Sequence, residues 1–143
     1  MLGCSHTYRL YPVQGPLAGQ TPSLVLFAKI TGALQSGSIS VILNDGEVCN
    51  GSWTRVPPVQ VPRDATAANA PATNRMSSEW DTVYGSGFYV AHIVGAKYYF
   101  QAVVSGNLGT VLNFEMYTAN GVGALFTNGV ATDNKGNIYK LVY

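Results

Sequence analysis

Charge is scarce in this chain. Asp, Glu, Lys and Arg make up 10% of the residues, against ~25% in an average soluble domain. Lys+Arg 8 stand against Asp+Glu 7, and no basic run gathers. Binding to nucleic acid draws on clustered cations that release counterions from the phosphates, so nucleic acid is excluded as a partner class. Long apolar runs are missing too. The longest uncharged stretch, Leu10 to Ala28, is broken by Pro12, Pro16 and Pro22 and by Gly15 and Gly19. Proline costs ~3 kcal/mol inside a helix, and a membrane span needs ~20 mostly apolar residues, so no segment reads as a spanning helix. Cysteine is limited to Cys4 and Cys49, too few for a disulfide framework. Cys49 reads as a small buried hydrophobe. Two histidines and a spare cysteine do not meet zinc spacing. No glycine-rich phosphate loop is present, because GSGFY (85–89) reads as a turn entering a strand. No cofactor is expected.

What is present indicates one β-rich domain. A length of 143 residues fits a single unit of ~100–200 residues, and at that size roughly two-thirds of the chain's surface is buried. Hydrophobic residues reach 47%, and Ser, Thr, Asn, Gln and Gly supply the polarity that charge does not. Residues 1–23 read as an irregular N-terminal tether, since LYPVQGPLAGQTP carries turn formers at short intervals. The β-rich domain then spans 24–143. In LVLFAKIT, Leu24, Leu26, Ala28 and Ile30 share one face, and SISVIL alternates in the same way, which is the period of a half-buried strand. NDGE (44–47) reads as a hairpin turn, with VCNGSW (48–53) returning. The Pro-rich stretch 54–73 reads as a loop. NRMSSEWDTVYG carries the helical pattern, with Met76, Trp80 and Val83 or Tyr84 on one side, and predicts a short helix near 74–84. FYVAHIV, YYFQAVVS, TVLNFEMYT, GVGALFT and NIYKLVY follow as strands. In TVLNFEMYT, Leu112, Phe114 and Met116 face inward and Asn113 and Glu115 outward. Short connections imply antiparallel pairing. The fold class is mainly β: an antiparallel barrel or sandwich of about seven to nine strands with one short helix.

Three constellations bear on chemistry. In GVATDNKGNIYKLVY (129–143), residues 134–137 form a tight turn with Gly136 at positive φ. The stretch resembles a single NHL-type propeller repeat, but a propeller needs ~4–8 blades, and one copy implies only a shared local hairpin. It is not a calcium loop, because Lys135 occupies an alternate ligand position and no Glu closes the set. Cys49, Glu47 and His92 contain the residue types of an exported hydrolase, although nothing in the spacing links His92, on the strand face with Phe88, Val90 and Val94, to the other two. Trp53, Trp80 and the tyrosines are the side chains a carbohydrate- or peptide-binding surface would use if they clustered in the open. A non-enzymatic role is expected.

Leu2-Gly3-Cys4 is similar to the end of a bacterial lipobox. Together with SGSISVILNDGEVCNGSW, VSGNLGTVLNFE and GVATDNKGNIYKL, it resembles the small envelope lipoproteins of bacteria. The resemblance implies lipidation of Cys4, and Ser5 beside it implies the outer membrane, facing the periplasm. It brings no catalytic residues. The implied partners are the membrane, through the lipid on Cys4, and an envelope protein or glycan.

Overall fold

The computed structural model describes residues 4–21, 24–33, 35–59, 76–119 and 126–143. Eight strands form one closed antiparallel barrel in sequence order: β1 (Cys4–Gln14), β2 (Leu26–Ala33), β3 (Ser36–Ile42), β4 (Val48–Val56), β5 (Tyr98–Gly106), β6 (Val111–Thr118), β7 (Asn128–Asp133) and β8 (Ile138–Val142). One helix, α1 (Ser77–Tyr84), lies within the β4–β5 connection. Alternation gives the wall its sides. Leu26, Ala28, Ile30, Ile39 and Val41 are buried inside, while Ser5, Thr7, Lys29, Asn50 and Ser52 face outward. The packed apolar interior is the reverse of a membrane-spanning barrel's polar one, and the outer wall mixes these polar residues with exposed Phe27, Ile42, Val48 and Val103.

Two sequence expectations are corrected. Residues 1–23 are not an irregular tether as far as they are described, because Cys4–Gln14 is the strand that closes the barrel. It pairs with β2 from Cys4↔Gly32 to Leu10↔Leu26 and with β8 from Arg9↔Val142 to Gln14↔Ile138. Tyr8 and Leu10 point inward at 1% and 0% exposure, so the barrel begins at Cys4. Pro12 hid the strand, yet it sits where the β1–β8 register shifts, a position where proline is tolerated. The second correction concerns FYVAHIV. Tyr89–Ile93 is a π-helical turn, closed by Val94 N–H donating to the Tyr89 carbonyl at 3.0 Å. Spacing of four satisfies a period of two as well, so Phe88 and His92 fit both readings. Both edges of β4 and β5 are already paired, and a closed barrel has no free edge for a ninth strand. Of the loop expected at 54–73, residues 54–56 extend β4, and 60–73 lie outside the described residues, as does most of GVGALFT.

Side chains fill the barrel interior. Trp53 occupies it edge-on to Phe100 and Phe126, with ring centroids 5.5 and 5.2 Å away, and its indole N–H donates to the Thr31 carbonyl at 2.9 Å. Space for the indole comes from the facing pair Gly32↔Gly37. The antiparallel order sorts the connections between two ends. The tight turns β3–β4, β5–β6 and β7–β8 share one end with the 3-10 turn Pro16–Gly19. Cys4, Tyr143 and the long β4–β5 and β6–β7 connections share the other. From the latter, Phe126 enters the core, its amide donating to the Tyr8 hydroxyl at 2.8 Å.

A side chain at Gly37 would strike the Thr31 carbonyl, and its Cβ would stand 2.5 Å from the Trp53 Nε1. Gly19 has nothing within 4 Å. Overpacking of this kind costs about 1–3 kcal/mol or more. Gly37→Ala is therefore expected to lower unfolding free energy by at least that amount in urea titration, with Gly19→Ala close to wild type. Equal effects would show that the Trp53 seat does not limit stability.

Candidate functional site

The residues singled out in the sequence do not converge. Cys49 is fully buried in the barrel core, next to Glu47. Burial first, and the Glu47 charge second, hold its thiol above its ordinary value, which keeps it protonated and a poor nucleophile. His92 is exposed outside the wall, on the π-helical turn, with its ring 4.4 Å from Phe88. A Cys49–His92 pair is thus prevented by the wall itself. Trp53 and Trp80 are 1% and 0% exposed, so neither indole is presented at the surface. That corrects their place as ligand-contact aromatics: both indoles serve the core. Cys4 stands at the start of β1, at the long-loop end, whereas Cys49 pairs with Val41 and Gly106 near the opposite end. A bridge between the two cysteines would have to span the barrel. Among the described residues no group of three or more His, Cys, Asp or Glu is placed to hold a metal.

The strongest polar cluster is one the sequence showed only in part. Glu115 faces outward from β6, as its alternation requires, yet it is 0% exposed because α1 lies over it. The Trp80 indole N–H donates to Oε1 at 2.8 Å, and the Met76 amide donates to Oε2 at 3.1 Å. Gln101 Nε2 reaches Oε2 at 3.3 Å and the Tyr99 hydroxyl at 3.1 Å, and Tyr99 hydrogen-bonds the carboxylate in turn. All these donors are neutral. Burial outweighs them and raises the Glu115 carboxyl above its ordinary 4.5. Tyr99, buried beside that carboxylate, is raised as well. Around the cluster, Val59, Met76, Tyr89, Ile93, Tyr117 and Val130 form a second core outside the barrel. Trp80, Tyr84, Phe88 and His92 recur every four residues as a stacked series, with neighbouring centroids 5.5, 4.7 and 4.4 Å apart. The signal available beforehand was a lone carboxylate in an apolar strand and a tryptophan on the helix expected near 74–84.

Two further carboxylates fasten the tight-turn end. Glu47, also buried, accepts from the Leu108 and Thr110 amides at 2.9 Å each and from the Thr110 hydroxyl at 2.6 Å. The β3–β4 turn is thereby joined to the β5–β6 turn. Led by the Thr110 hydroxyl, these donors pull Glu47 below its usual range. Asp133 accepts from the Lys135 and Asn137 amides, the Asn137 side chain and the Tyr139 hydroxyl, which shapes the β7–β8 turn around Gly136, at φ 92. Burial opposes these donors, but together they outweigh it and Asp133 is lowered. Asn137 then accepts from the Leu17 amide at 2.8 Å, tying down the 3-10 turn. Comparison with family models, curated proteins and solved structures finds no match to this chain.

These shifts fix the sign of the pH dependence. A raised Glu115 means that the folded state binds more protons than the unfolded one just above pH 4.5, so stability falls as pH rises through that window. Lowered Glu47 and Asp133 act oppositely, and their stabilisation is lost as pH falls below their ordinary values of 4.5 and 3.8. Urea titrations across the acid-to-neutral range should therefore pass through a maximum. Glu115→Gln should flatten only the falling limb, and Glu47→Gln only the acid limb. Because an amide at 115 must turn its N–H2 toward a donor, Glu115→Gln should also cost about 1–3 kcal/mol in the acid range, where the native carboxyl is neutral. An unchanged pH profile in both variants would contradict this account of the carboxylates.

Proposed function

We propose that the protein is a lipid-anchored, non-enzymatic domain of the bacterial envelope, held through Cys4 and serving binding or assembly at the periplasmic face of the outer membrane. The observation that carries this reading is that Leu2-Gly3-Cys4 leads directly into β1. Cys4 pairs with Gly32 at the barrel rim, so a lipid on its sulfur would leave the fold from that rim with no linker between. Anchored in this way, the barrel stands on the bilayer by its long-loop end and points its tight turns away. Two or three acyl chains hold such a domain firmly, whereas one gives only marginal residence. A role in binding or assembly is further supported by the interior: aromatic rings fill it, and the buried Cys49 thiol is kept protonated.

Expression with the native upstream sequence in a bacterial host, in the presence of labelled palmitate, tests the anchor. Wild-type protein should carry label and fractionate with membranes, and Cys4→Ser should lose both properties while keeping its fold. Unlabelled wild-type protein in the soluble fraction would overturn the reading.

A further inference from the structure

The long-loop end carries a cationic groove that neither the core nor the carboxylate clusters use. Gln35, Arg55, Val56, Pro57, Pro58 and Lys97 line it, with a volume of ≈ 390 Å³. Arg55 is the last inward-pointing residue of β4, so its side chain lies over the barrel mouth. Its Nε and Nη2 both donate to the Lys97 carbonyl, at 3.3 and 3.0 Å, and its guanidinium lies 4.6 Å from the centre of the Tyr98 ring. The Lys97 ammonium lies 5.5 Å from the centre of the same ring. Two cations are thus gathered at one aromatic ring, the first of them held by two hydrogen bonds to a backbone carbonyl.

Neither charge has an anionic partner among the described residues. Asp45, Glu47 and Asp133 lie at the opposite end, Glu115 is sealed under α1, and Glu79 and Asp81 are on α1 itself. Like charges on one ring repel each other, and an anion between them would relieve that repulsion. The donors that Arg55 leaves unused suit tetrahedral oxygens, because guanidinium binds phosphate as a fork and ammonium as a point charge.

We propose that this groove binds the phosphate group of anionic phospholipids, so that Arg55 and Lys97 seat the long-loop end on the membrane surface. The choice of lipid as the source rests on the anchored reading, since Cys4 stands at the same rim. Tyr98 suits an interfacial depth, with an apolar ring and a polar tip, and a basic residue near an anionic bilayer contributes about fivefold to binding.

The test uses the Cys4→Ser chain, so that no acyl chain contributes. Its co-sedimentation is measured with vesicles of phosphatidylglycerol in phosphatidylethanolamine and with vesicles of phosphatidylcholine. Binding is expected only to the former and should weaken as salt is raised. Lys97→Gln, an exposed change, should weaken it about fivefold, and Arg55→Gln with Lys97→Gln roughly 30-fold. Lys29→Gln, on the outer wall away from the rim, should leave it unchanged. Each variant's fold is checked by circular dichroism. No binding to the anionic vesicles, or an equal loss in Lys29→Gln, would overturn the proposal. Saturation of the groove by inorganic phosphate without vesicle binding would overturn the lipid source. Because palmitate labelling is read separately, an unlabelled Cys4 with intact vesicle binding would sink the anchor and leave the groove standing.

Discussion

Closure of the barrel is the constraint on which the rest of the structure depends. A strand edge is a row of unpaired amides and carbonyls, and only full closure removes it. Here closure requires β1 to serve two neighbours along different halves of its length, Cys4 to Leu10 with β2 and Arg9 to Gln14 with β8. Once the ring is complete, the β4–β5 excursion has no edge to join. It folds back on the outside as α1 and a π-helical turn, and it needs a docking surface of its own. The second core is therefore a consequence of closure in the first.

Docking a helix on the outer wall buries outward-facing residues that alternation had made polar. Glu115 is the sharpest case. A buried carboxylate without a cation is costly, and four neutral donors from α1, β5 and the wall reduce that cost without cancelling it. The same donors fix where α1 lies, because Trp80 and Met76 reach Glu115 only in one placement. Tyr84 adds a second fixed point, accepting from the Gly129 amide at 3.1 Å and donating to its carbonyl at 3.0 Å. Glycine at 129 also leaves room for Leu141, since a Cβ there would stand 2.6 Å from its Cδ2.

Much of this was legible in the sequence, and the failures share a cause. Period-two alternation located β2, β3 and β6, the NDGE turn gave β4 as the returning strand, the turn at 134–137 gave the β7–β8 hairpin, and Met76, Trp80 and Tyr84 gave α1. Each of those signals is local. The role of β1 was hidden because Pro12 and the following glycines look irregular, and only the partner strand β8, more than a hundred residues away, shows that its register absorbs the proline. Phe88 and His92 misled because spacing of four is common to strand and helix. Whether Trp53 and Trp80 would cluster in the open could not be read locally, because their places depend on the glycine pair at 32 and 37, which seats Trp53 in the barrel, and on the carboxylate at 115, which holds Trp80 in the second core. The hidden burial of Glu115 followed the same rule: alternation tells which side of the wall a residue faces and not what covers that side.

The scarcity of charge and the pattern of its use belong together. Every described carboxylate accepts a hydrogen bond from a neutral donor: Asp45 from the Glu47 amide, Glu79 from the Ser78 hydroxyl, Asp81 from the Tyr89 amide, and Glu47, Glu115 and Asp133 from several groups each. The acids thus act as internal fasteners of turns and of α1, and those at the tight turns cluster at one end. The cations are left without such work. Lys135 lies on the β7–β8 turn among the acids, where its charge helps to hold Glu47 low, whereas Arg55 and Lys97 stand at the opposite rim, away from the acids of the tight turns. Those two cations, at the end of the barrel where β1 begins, are the electrostatic basis of the seat proposed above on an anionic surface.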